Sequence, residues 1–274
     1  MNIWKVLSII FASFWSIAQF SFAQEITEEE YLKIDTEIWE EYEQNMSKIF
    51  EGYKLYPEKK DSLMIASERI LAIADKKNVE AAIKYSSVPS GLQRLFMVRL
   101  QIPKDTILSI LKRLPDNMQT SSYGKNLFYH IESEQIEEGH KYSDFKAIDS
   151  EGKDFILSSL EGKNVLFLYG GLECMGKENR DYLNEIYEKT NRDSFEIVIY
   201  CQSSSLEQLQ EVRKEFPCDF FLVSDFLHDF TPVKILYGAQ ATPTCFFINK
   251  KGVVKMKTIS LFQERVNQLL EDSE

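Results

Sequence analysis

The chain is poor in the residues that most often announce metal or cofactor chemistry. Among 274 residues there are three histidines and four cysteines. His130, His140 and His228 stand far apart, and no His/Cys spacing fits a zinc site. No Cys-x-x-Cys-His sequence offers a haem attachment point, so neither a metal nor a cofactor is expected. Positive charge is the next shortage: 32 Lys and Arg against 43 Asp and Glu give a formal net charge of −11. With no Lys/Arg cluster anywhere in the sequence, nucleic acid is excluded as an expected partner, and the acidity reads as a solvated surface. Repeats and low-complexity tracts are also missing. A hydrophobic content of 44% with 13% aromatics is enough for a real core.

Long apolar runs are missing as well. The run from Val6 to about Ile17 is shorter than the roughly 20 residues a membrane span needs. It follows Lys5 and ends in Ser21-Phe22-Ala23, which is the pattern of a secretory signal cut after Ala23. No cysteine follows the run to take a lipid, so membrane attachment is expected only through an uncleaved signal. The mature protein is expected outside the cytoplasm, where disulfides persist and thiols have partners.

What is present divides into two textures. Residues 24–138 read as helices. In ITEEEYLKIDTEIWEEYEQNMSKIF the apolar Ile34, Ile38, Tyr42 and Ile49 recur at helical spacing opposite a glutamate-rich face, and Trp39 and Tyr42 are expected to pack on neighbouring helices. DSLMIASERILAIADKK is expected to start at Asp61 as N-cap and to carry Leu63, Ile70 and Ile73 on its apolar side. Pro89, Pro103 and Pro115 punctuate short helices, and SSYGKNLFYHIESEQIEEG reads as one more helix ending at Gly139. This half has no cysteine, metal-ligand cluster or Gly-rich loop.

From Tyr142 the texture changes, and strands and helices alternate. FKAIDSEGKDFILSSL predicts two short strands around a turn. NVLFLYG, FEIVIYC, CDFFLVSD, TCFFINK and VVKMKTI predict further strands, with DYLNEIYEKT, SLEQLQEVRKEF and FQERVNQLLED as helices. Continuous apolar strands between helices indicate a mainly parallel sheet covered on both faces, closed by an antiparallel hairpin. Asp225 and Asp229 flank the segment DFLHDF, where helix capping is the expected role.

Cys174 lies just past Gly170, where the strand NVLFLYG gives way to the next helix. In an open α/β sheet reactive groups gather at the carboxyl ends of the strands. Backbone N–H groups and a helix dipole there favour a thiolate, the form a nucleophilic cysteine needs. A small residue tolerated at a turn is the competing account. In ATPTCFFINKKGVV, Pro243 stands before a buried strand, where it removes a ladder donor. A cis peptide bond that presents backbone to a substrate chain is one reason for it.

From Tyr142 to about Leu270 the sequence resembles exported thioredoxin-fold proteins of the TlpA/ResA type, in the AhpC/TSA–Redoxin neighbourhood. YSDFKAIDSEGKDFILSSLEGKNVLFLYG is similar to that family's opening hairpin and first central strand, and ATPTCFFINKKGVV to its cis-proline strand and hairpin. The helical half resembles the amino-terminal extension of many such envelope proteins. The resemblance implies an α/β thioredoxin-like fold for the domain at 139–274, which stands behind the all-α domain at 24–138 and the signal peptide at 1–23 read above. It implies a thiol–disulfide oxidoreductase in the bacterial periplasm or cell envelope, acting on envelope proteins that carry thiols or disulfides. It places Cys174 as the attacking thiol and Thr242 and Pro243 as the loop that docks substrate.

The pattern departs from the family at the site itself. Where the family has Trp-Cys-x-x-Cys, this chain has Glu173-Cys174-Met175-Gly176-Lys177, so Lys177 replaces the resolving cysteine, and Arg180 replaces a family glutamate. Lys177 and Arg180 are expected to favour a thiolate at Cys174 and Glu173 to oppose it. A mixed disulfide at Cys174 then needs another thiol for its release. Three readings stay open. Cys174 is a monothiol exchanger or isomerase served by a separate reductant or thiol donor. Alternatively, the domain is a redox-inactive binding protein that keeps the groove. In the third, another cysteine resolves Cys174, with Cys201 the first choice. Cys218 is expected to open a strand far from the site, and Cys245 to be a buried structural thiol. A peroxidase would want Pro and Thr where Phe167 and Gly171 stand.

Overall fold

The computed structural model describes residues 26–272; the signal-peptide reading of residues 1–23 lies outside them. Helix α1 (Glu28–Leu55) begins at Thr27, whose Oγ1 accepts a hydrogen bond from the Glu30 N–H at 3.1 Å, and three glutamates in its first turn complement the helix dipole. Helix α2 (Lys60–Lys84) folds back along it, with Tyr31 against Tyr85 and Lys77 paired to Glu41 at 2.6 Å. Asp61 does not cap α2: the helix runs straight out of the Pro57–Lys59 turn, leaving Asp61 inside the first turn. Nor does Ile73 face inward. The side of α2 that meets α1 is built from Ala74, Asn78 and Ala81, because small residues let two helices approach closely, and Ile73 is 55% exposed.

Helices α3 (Pro89–Met97), α4 (Lys104–Leu111), α5 (Asp116–Gln119) and α6 (Ser122–Glu132) follow, with prolines at three of the four starts. Their apolar faces close on Leu95, Phe96, Ile107, Leu111 and Leu127. Helix α6 ends at Glu132, not at Gly139: Ser133 is already extended, and farther along the Ile136 N–H donates to the Leu236 carbonyl.

Among the described residues seven strands come afterwards: β1 (Lys146–Asp149), β2 (Asp154–Ile156), β3 (Asn164–Tyr169), β4 (Phe195–Tyr200), β5 (Phe221–Ser224), β6 (Thr244–Ile248) and β7 (Val254–Ile259). They form one sheet in the order β2-β1-β5-β4-β3-β6-β7. The parallel part expected from the alternation is confined to β3, β4 and β5; β1 and β6 join it antiparallel, so the sheet is mixed. Helices α7 (Lys177–Lys189), α8 (Leu206–Glu215), α9 (Pro232–Leu236) and α10 (Gln263–Glu271) lie between or after the strands. Leu166 and Leu168 of β3 point into one core cluster with Leu183, Leu209 and Val266, while Phe167 and Tyr169 point into the other with Val233 and Tyr237. That two-sided burial is why the central strands read as unbroken apolar runs. Ile235 of α9 completes the core of the helical half, so the halves share packing.

Candidate functional site

The site is built where β3 turns into α7. Gly170 and Gly171 both have left-handed backbone, with φ of 67° and 108°. A Cβ at Gly170 would come within 2.7 Å of Thr242 Cγ2, and one at Gly171 within 2.5 Å of Pro243 Cβ. The glycine pair therefore exists because the Thr242-Pro243 turn lies directly on it. Beyond it, the Met175 N–H donates to the Gly171 carbonyl at 2.7 Å, which closes the turn and leaves Cys174 exposed, two residues before the N-cap of α7 at Gly176.

The Cys174 thiol lies 3.3 Å from the Thr242 carbonyl, 3.6 Å from the Gly171 carbonyl and 3.8 Å from Thr242 Oγ1. Thr242 is 68 positions away in sequence, and its bond to Pro243 is cis. The thiol form donates to the carbonyl; a thiolate would be repelled by that oxygen, and the Thr242 hydroxyl is the neighbouring group able to donate to it. Cys174 thus sits against the loop that sequence reading singled out.

Two basic residues are placed differently from expectation. Lys177 is the first residue of α7; its side chain is 81% exposed and pairs with Asp181 at 2.5 Å, one turn on along the solvent face. Arg180 turns back under the site, donating to the carbonyls of Leu172 (3.1 Å) and Met175 and stacking on Phe216. Its charge is spent on the backbone of the cysteine turn, which it ties down from below.

Cys174 and Cys201 line the same cleft, of about 230 Å³, together with Glu173, Gln202, Gln208, His228 and Thr242. Cys201 is buried, and burial pushes its thiol up to about 12. The buried Cys245, on β6 opposite Leu168, is also pushed up to about 12 by desolvation. Cys218 does not open a strand, since β5 starts at Phe221. Nor is it remote: it borders a second cleft with Lys177 and Arg180, and burial raises its thiol to about 11. All four thiols are free, and Cys174 is the exposed one. Asp225 and Asp229 cap no helix. Asp225 accepts from the Leu227 N–H at 2.9 Å, and Asp229 pairs with buried Lys234.

The residues that sequence reading missed are Gly170, Gly171, Gln202 and His228. The glycine pair was a usable signal, since paired glycines at a strand end mark close backbone approach. Gln202, whose Nε2 donates to Tyr169 Oη at 3.1 Å, and His228 carried no local signal.

No known family profile matches the chain. Among characterised proteins it is 28% identical over 145 residues to the thiol-disulfide oxidoreductase ResA of Geobacillus thermodenitrificans, covering 52% of this chain and 82% of that protein. Against ResA of Bacillus subtilis the identity is 28% over 141 residues, covering 50% of this chain and 76% of that one. Among solved structures, the thioredoxin domain of a thiol-disulfide oxidoreductase from Bacteroides vulgatus aligns with a TM-score of 0.46 at 18% identity, over 51% of this chain and all of that one. A thiol-disulfide oxidoreductase from Bacteroides fragilis aligns at 0.43 and 15%, over 48% and 98% of the two chains.

Proposed function

We propose, from the premise that the C-terminal half of this chain is a thioredoxin-fold domain related to the ResA-type thiol–disulfide oxidoreductases, that Cys174 is a monothiol exchange centre. The observation that carries this reading is the exposed Cys174 thiol resting 3.3 Å from the carbonyl of Thr242, at the rim of the sheet and beside an open cleft. The Cys174 thiolate attacks one sulfur of a substrate disulfide. A Cys174–substrate disulfide forms, the substrate S–S bond breaks, and the second substrate sulfur leaves as thiolate. Lys177 points away and the other thiols are desolvated and protonated, so a separate thiol, small or protein-borne, attacks the mixed disulfide. It returns Cys174 to the reduced state and carries the oxidation away. Thr242 and Pro243 present backbone to the substrate chain.

In this reading the helical domain at 24–138 precedes a redox domain at 139–274, and the protein is exported, on the strength of its first 23 residues. No helix among the described residues is long and apolar enough to cross a membrane. The substrates are envelope proteins with thiols or disulfides.

The same lack of a second exposed thiol favours one other reading, a binding protein that keeps the groove without turning over. Incubating the reduced protein with a disulfide-bonded peptide, followed by mass spectrometry, separates the two. Exchange predicts a peptide adduct on Cys174 that persists until a thiol is added, no adduct in Cys174→Ser, and a shortened adduct lifetime in Lys177→Cys. An unmodified Cys174 with the peptide still bound would replace exchange by binding.

A further inference from the structure

Arg99 belongs to the helical half, yet its side chain is fully buried against the sheet half. Burying a guanidinium demands compensation, and a carboxylate is the usual answer. Here the guanidinium bonds only to backbone carbonyls: Phe96 at 3.0 Å, Lys234 at 3.1 Å and Ala239 at 3.4 Å, with its central carbon 4.5 Å from the centre of the Phe96 ring. Burial lowers its pKa to about 10, so it keeps its charge at neutral pH.

The two distant carbonyls are not arbitrary. Helix α9 ends in a left-handed Gly238 (φ 59°), with the Ala239 N–H donating to the Lys234 carbonyl at 3.0 Å and the Gly238 N–H to the Ile235 carbonyl at 3.1 Å. Arg99 therefore donates to both oxygens that frame the turn closing α9, one on each side of Gly238. The next residue, Gln240, donates its Nε2 to the Met97 carbonyl at 2.6 Å. Lys234, paired with Asp229, lies 5.5 Å from the Phe96 ring. Thr242 follows Gln240 by two residues, and Thr244 Oγ1 holds the Ala241 carbonyl at 2.7 Å from the other side. The turn that receives Cys174 is thus fixed by its own strand at one end and by the helical half at the other.

We infer that Arg99 is a positioning residue for the Thr242-Pro243 turn, with Gln240 as its second tether, so that the helical half sets how a peptide docks beside Cys174. This rests on the exchange reading above for its consequence, but not for its geometry. The test uses Arg99→Lys, Arg99→Met and Gln240→Ala in the full mature chain, each first checked for folding by denaturation. Amide hydrogen exchange followed by proteolysis reads residues 238–244, and stopped-flow compares exchange with a disulfide peptide and with a small aromatic disulfide.

The expected result is exchange of the 238–244 amides about tenfold faster in Gln240→Ala and Arg99→Met, with β3 unchanged and Arg99→Lys between them and the parent. In the same variants the peptide-to-reagent rate ratio falls about tenfold. Unaltered 238–244 protection in the folded Gln240→Ala and Arg99→Lys proteins would overturn the inference. Lost protection in a protein whose parent shows no thiol exchange would keep the positioning role and remove the exchange reading. Lost protection with an unchanged rate ratio would overturn the link to docking.

Discussion

The two halves of the molecule bury their apolar residues in different ways. In the sheet half, β3, β4 and β6 are buried at every position. In α1 the buried residues are Tyr31, Ile38 and Ile49, while Phe50, Leu55, Met64, Ile65 and Ile73 of the α1–α2 pair remain exposed. The bundle from α3 to α6 lies between these extremes, closing around Phe96 and Leu111 and borrowing Ile235 from the sheet half. A two-faced sheet fixes its register everywhere, whereas a helix pair joined along one narrow seam fixes little beyond that seam. Rigidity is therefore expected to decline from the sheet, through the shared bundle, to the α1–α2 pair.

The sharpest way to break the comparison is a pair of truncations. Phe167, fully buried among Phe145, Tyr237 and Phe246, should cost about 3–5 kcal/mol as Phe167→Ala, because its cavity cannot close between two packed layers. Ile73→Ala on α2 should stay within about 0.5 kcal/mol. Urea titration measures both, and equal losses would erase the distinction.

A smaller effect comes from acid, where the halves should respond with opposite sign. His130, buried in the helical half near Arg99 and Lys104, is held at about 4 against an ordinary 6.5, chiefly by desolvation. The unfolded chain therefore binds the proton first, and stability falls as pH drops from about 6.5 to about 4, by about 3 kcal/mol. Glu196, buried in β4 with Arg192 beside it, has a raised pKa through desolvation, so its folded form binds the proton first. Its contribution is lost as pH rises through the ordinary 4.5 toward that raised value. Stability measured from pH 4 to 7 should lose slope in His130→Gln and gain slope in Glu196→Gln; parallel curves would contradict the assigned burial. Least is expected at the site's own edge. The exposed Lys177–Asp181 pair should contribute less than about 0.5 kcal/mol, so Lys177→Ala should leave the melting temperature nearly unchanged.

Much of this was readable in the chain. Strands β3, β4 and β6 read as apolar runs between helices, and the sequence marks both the thiol at the strand end and the Thr242-Pro243 turn that lies against it in the fold. The failures have a common cause. The end of α6, the inward face of α2 and the start of β5 depend on what packs against them, and local pattern carries no record of the partner. Their places just after Cys174 predict that Lys177 and Arg180 favour its thiolate; in the fold one reaches a carboxylate in solvent and the other the backbone beneath the turn. The role of Gly170 and Gly171 is not local, because the side chains that exclude a Cβ there are some seventy positions away in the chain.

By itself, then, the sequence determined that strands alternate with helices behind a helical half, and that one thiol stands at a strand end. Periodicity and turn chemistry act over a few residues and survive any tertiary context that buries the apolar face. Tertiary structure alone decided that this thiol rests on Thr242, that Cys201 shares its cleft but is desolvated, and that a buried Arg99 grips the neighbouring turn. Those outcomes are hydrogen bonds and solvent exclusion between segments far apart in the chain, and they exist only once the sheet has brought the segments together.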